Sequence, residues 1–106
     1  MQSERSQDMR SEIRKKERRY ERACEQIAVL DRTIAEVRKR YKRAKRDKMR
    51  SFQYNIGLRL QVLNGVRCMY STYARIMADQ AAKLRDDLID VIRQIIAESN
   101  SDNPSE

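Results

Sequence analysis

The sequence predicts an all-α protein, an antiparallel two-helix coiled-coil hairpin that oligomerises into a helical bundle. Three observations predict it. The 106 residues hold only two Gly and one Pro, with 38% charged and 40% apolar residues, a composition that favours long helices over sheet. Two seven-residue apolar repeats divide the chain. They fall out of phase with one another near its middle, where a reversal would explain the slip.

In the first repeat Ile13, Tyr20, Ile27, Ile34 and Tyr41 recur every seven residues. Met9, Ala23, Leu30, Val37 and Ala44 fill the complementary positions, interrupted by Lys16. This 3/4 spacing draws a narrow stripe along one helix face, and the charged remainder leaves that stripe useless unless another helix covers it. The second repeat runs through Ile56, Leu63, Tyr70, Met77, Leu84 and Val91, joined by Leu60, Ala74, Ala81, Leu88 and Ile95. Its apolar face is wider: 25 of the 45 residues from Phe52 to Ile96 are apolar, more than one partner helix covers.

The expected organisation is a frayed N-terminus over 1–8 and a single helical-hairpin domain over 9–98. Within it helix 1 spans about 9–50, the turn about 51–55 and helix 2 about 56–98. Residues 99–106 are small and polar and read as a disordered tail. A turn centred on Phe52 sets Ile13 against Val91, Tyr20 against Leu84, Ile27 against Met77, Ile34 against Tyr70 and Tyr41 against Leu63.

A second local reading competes. Phe52, Tyr54, Ile56, Leu58, Leu60 and Val62 alternate strictly, and Asn64-Gly65 is a type I′ turn signal. That would give helix, β-hairpin over 52–73, helix. At the least, a kink is expected near Asn64-Gly65.

Little in the chain points to catalysis. There is no His, the commonest general base and metal ligand. Phosphate-binding loops, nucleophile elbows and CxxC pairs are absent. No catalytic, cofactor or metal site is therefore expected, and no small-molecule ligand. Asp86 and Asp90 share a helix face near Asp79 and Asp87 and could in principle hold a divalent ion, but a solvated acidic face is the simpler reading of them. Cys24 and Cys68 read as two free thiols of a reducing compartment. The polar N-terminus does not resemble a signal peptide, and no apolar run reaches the ~20 residues of a membrane span. A soluble cytoplasmic or nuclear protein with no membrane partner is the expectation.

The charge is lopsided. Net charge is +8, yet the first 51 residues hold 18 Lys and Arg against nine Asp and Glu, while the rest hold six against seven. The densest run is Arg38, Lys39, Arg40, Lys42, Arg43, Lys45, Arg46, Lys48 and Arg50, opposed only by Asp47. This basic patch could grip a phosphate backbone, sit on an acidic protein surface, serve as an import signal through Lys39-Arg40-Tyr41-Lys42, or simply be solvated near a helix end.

The leading functional expectation is a non-enzymatic coiled-coil interaction or adaptor subunit. It would assemble with itself or with another helical protein through the apolar face of residues 56–96. Its expected protein interface comprises Ile27, Ile34, Leu63, Tyr70, Met77, Leu84, Leu88, Val91 and Ile95. The alternative is a basic helical nucleic-acid-binding protein using residues 38–50. Of the tyrosines, Tyr20, Tyr41 and Tyr70 read as core, and Tyr54 as exposed.

Overall fold

A computed structural model describes residues 2–101, with side chains from residue 4 onward. The chain is an all-α helical hairpin. Helix α1 covers Gln2–Arg46 (45 residues) and α2 covers Arg50–Ser101 (52 residues), and no strand occurs among the described residues. Helix α1 contains neither Gly nor Pro. Its basic last turn, with Arg43, Lys45 and Arg46, suits the negative end of the helix dipole.

The reversal occupies Asp47–Met49, ahead of the 51–55 expected from the repeats. The Met49 amide donates to the Ala44 carbonyl at 2.9 Å and the Lys48 amide to the Lys45 carbonyl at 3.2 Å. Lys48 has φ 58°. This paired bonding around one left-handed residue is a Schellman motif, which satisfies carbonyls that the helix end would otherwise strand. Helix α2 then starts at once, with the Gln53 amide donating to the Met49 carbonyl at 2.8 Å.

The helices also run further than the repeats indicated. Residues 2–8 are helical, and Ser6, one heptad before Ile13, is buried. At the other end α2 continues through Ser101, whose hydroxyl donates to the Glu98 carbonyl at 2.9 Å. The remainder of the expected tail, 102–106, and Met1 lie outside the described residues.

The β-hairpin alternative for 52–73 is overturned. Helix α2 passes unbroken through Asn64-Gly65, and neither glycine adopts a positive φ. Tertiary packing explains why the local turn signal loses. Ile56 is buried with Val37 and Ala44, and Tyr41, Leu60 and Leu63 pack against them. That cluster requires the 3/4 spacing of a helix, and it offsets the ~1 kcal/mol that each glycine costs relative to Ala.

Two compact units make up the hairpin. One joins α1 up to Tyr20 with α2 from Arg75, and the other runs from Glu21 to Ala74 and holds the turn. In the first, Ile13, Met77, Ala81 and Val91 are buried. Lys16, which breaks the first repeat, is half-buried and lines a groove with Leu84, its methylene stem able to cover apolar surface while the amine stays wet. In the second unit Ala23, Ile34, Val37, Ala44, Ile56 and Ala74 are buried.

Alanines are prominent in both seams, and methyl-lined seams leave little depth for a phenol ring. Accordingly Tyr20 and Tyr70, expected in the core, are exposed, while Tyr41 is half-buried. A Cβ on Gly57 would lie 3.6 Å from the Tyr41 ring, an ordinary van der Waals contact, so the glycine packs against the ring without being required by it. The register shifts with the turn: the Asp31–Arg67 pair has its midpoint at Met49 and the Glu17–Arg85 pair at Ser51, both ahead of the expected Phe52.

Two substitutions check this fold. Nothing lies within 4 Å of a Cβ placed on Gly65, so Gly65→Ala should raise stability by about 1 kcal/mol in urea unfolding; a loss would favour a turn there. Lys48→Gly should stabilise by about 0.5–1 kcal/mol by relieving the left-handed conformation, whereas Lys48→Val should destabilise.

Candidate functional site

Helix α2 carries a second apolar stripe that α1 does not cover. Within the turn-bearing unit, Leu58, Val62, Met69 and Tyr73 are exposed and Val66 is half-buried. The steps from Val62 through Val66 and Met69 to Tyr73 are four, three and four residues, again heptad spacing but on another face. Met69 is 72% exposed and Val62 66%. Val66, Met69, Tyr70 and Tyr73 line a shallow apolar groove.

The expected interface residues divide accordingly. Ile34, Met77 and Val91 are buried between α1 and α2; Ile27, Leu63, Leu84, Leu88 and Ile95 are half-buried; Tyr70 is exposed beside the outer groove. Most of the predicted surface is thus spent closing the hairpin. Val62, Val66, Met69 and Tyr73 belong to neither of the two repeats read from the sequence. Their own heptad spacing carried the signal of a further stripe.

The stretch of α2 that carries the outer stripe holds no acid, and by helical spacing Arg59 is the arginine that flanks the stripe. Between Lys48 and Ala78 there is no Asp or Glu, while Arg50, Arg59, Arg67 and Arg75 are present. Arg67 is held by Asp31 across the hairpin: its Nε donates to Oδ1 at 2.5 Å and its Nη2 to Oδ2 at 3.4 Å. This hydrogen bonding, with the coulombic pull of Arg67 and Arg38, holds the Asp31 carboxyl below its ordinary 3.8 and raises the Arg67 guanidinium. In the other unit Arg85 likewise donates to Glu17. Both pairs are exposed, so they fix which residues lie opposite one another more than they add stability.

All nine cations of the basic patch, from Arg38 to Arg50, are exposed. Lys39 lies 3.4 Å from Glu36 and Arg46 lies 3.8 Å from Asp47. The hairpin also brings aromatic side chains to this patch. Phe52 is 51% exposed and Tyr54 67%. Arg40, Arg43, Ala44, Asp47, Met49 and Phe52 line one groove, joining residues of α1, the turn and α2.

Asp79, Asp86, Asp87 and Asp90 are exposed, and no group of three potential metal ligands forms among the described residues. Cys24 is half-buried and Cys68 exposed, both as free thiols. No helix of the described residues is long and apolar enough to cross a membrane. Comparison with protein-family models, characterised proteins and solved structures found no match to this chain.

The Asp31–Arg67 pair makes a pH prediction. Because the folded pKa of Asp31 is depressed, its stabilising contribution is present above 3.8 and fades as pH falls through the lower folded value. Carboxyl NMR titration should place the Asp31 midpoint below 3.8 and move it back toward 3.8 in Arg67→Gln; an unchanged midpoint would contradict the pairing.

Proposed function

We propose that this chain is a non-catalytic interaction module that receives an acidic amphipathic helix from a partner protein along the outer stripe of α2. The observation that supports this most is the row Val62, Val66, Met69 and Tyr73, apolar at heptad spacing and uncovered in the hairpin. An added helix would convert the pair into a bundle by the packing used between α1 and α2. Fully burying each aliphatic anchor is worth ~1.5–3 kcal/mol before ordering costs.

The charge argues for a different chain rather than a second copy. Pairing this stripe with itself would bring two acid-free, arginine-bearing stretches together, in a chain already at +8. A helix with Asp and Glu beside its apolar stripe meets Arg59 favourably, the arginine that flanks the stripe on α2. The absence of His fits a binding role, and the free thiols fit the cytoplasm or nucleus.

The test uses a designed 21-residue peptide with Leu at heptad a and d positions and Glu elsewhere. It should bind saturably, weaken with salt, and be lost in the double variant Met69→Glu, Tyr73→Glu. Circular dichroism and the melting temperature should hold, since both side chains lie outside the hairpin core. No binding would overturn the proposal. So would a sedimentation-equilibrium mass showing that the chain alone pairs through these two residues.

A further inference from the structure

The basic end holds a feature that the outer stripe does not use. The last turns of α1 present Arg38, Lys39, Arg40, Lys42, Arg43, Lys45 and Arg46 to solvent in nearly every direction. Beside them the half-exposed Phe52 ring shares a groove with Arg40 and Arg43. Tyr54 stands most exposed of the tyrosines, and at two residues along the same helix it points about 200° away from Phe52.

We propose that this end of the hairpin binds single-stranded nucleic acid without base-sequence preference. A base stacks on Phe52 while the guanidinium groups of Arg40 and Arg43 hold the flanking phosphates, and Tyr54 offers a second stacking face as the strand passes round the end.

The chemistry matches what such a strand presents, alternating flat apolar bases with anionic phosphates. The geometry separates this ligand from other polyanions. A bilayer surface is flat and cannot meet Phe52 and Tyr54 together when they face opposite ways. An acidic helix is straight and would engage one side only. Duplex DNA keeps its bases stacked and gives neither ring a partner, and the described residues hold no separate recognition helix. A flexible strand can curve around cations spread over all faces. Asp47 borders the same groove and would disfavour a phosphate close to Met49, which directs the backbone toward Arg40 and Arg43.

The full 106-residue chain is titrated against a labelled 20-nucleotide oligo-dT by fluorescence anisotropy at several salt concentrations. The expected result is saturable binding, tighter than to a 20-base-pair duplex or to phosphatidylcholine vesicles containing phosphatidylserine. Phe52→Ala should weaken it about ten-fold or more, and Phe52→Trp should retain it. Arg40→Gln with Arg43→Gln should reduce the slope of log affinity against log salt by about 1.4. Circular dichroism of each variant separates lost binding from lost folding, and the retained Trp variant keeps the test open if the Ala variant unfolds. No binding to oligo-dT, equal or tighter binding to duplex or vesicles, or full affinity in folded Phe52→Ala would each overturn the proposal.

Discussion

The chain reverses over Asp47, Lys48 and Met49, and every contact between α1 and α2 follows from that location. The Schellman bonds from Met49 to Ala44 and from Lys48 to Lys45 end α1 without any glycine or proline. Once the end is fixed, Asp31 meets Arg67, Tyr41 meets Gly57, and Phe52 falls beside Arg40 and Arg43. Moving the reversal by a few residues would rotate α2 against α1. A different set of its side chains would then close the seam, and another set would be left outside.

The proposed interactions rest on what the seam leaves outside. The inner seam draws on Ile56, Met77 and Val91 of α2 together with alanines at 23, 44, 74 and 81, and it covers one face of α2 only. Large residues at 58, 62, 69 and 73 remain in solvent. Scattered exposed apolar residues are ordinary, but a row at heptad spacing along a helix already half-covered is the surface on which the proposed partner helix would dock. In the two proposals, Arg59 beside it and the cations at the hairpin end would meet anionic ligands of different shape: a straight acidic helix along the stripe, a flexible strand around the end.

Much of the fold was legible in the sequence. The two heptad series and their phase slip gave helix type, hairpin topology and the buried roles of Ile34, Met77 and Val91. The turn position was not legible, because Lys48 adopts a left-handed conformation that its residue type does not announce. The glycines that do announce one, Gly57 and Gly65, lie inside α2, where the first packs beside the Tyr41 ring and the second has nothing within 4 Å of an added Cβ. Tyr20 and Tyr70 were misplaced for a related reason: periodicity assigns a face, and the small alanines of that seam decide what fits in it. The basic patch was evident residue by residue. Its association with Phe52 was not, since that depends on where the chain folds back.

The register is therefore the claim to test most directly, and a nuclear Overhauser spectrum of the isotope-labelled chain does so. The account predicts a strong contact between the Tyr41 ring protons and the α-protons of Gly57. It also predicts helical shifts through residues 50–73 and a single interruption at Lys48. A Tyr41 ring that contacts Leu63 without Gly57, together with extended shifts around Asn64-Gly65, would contradict it.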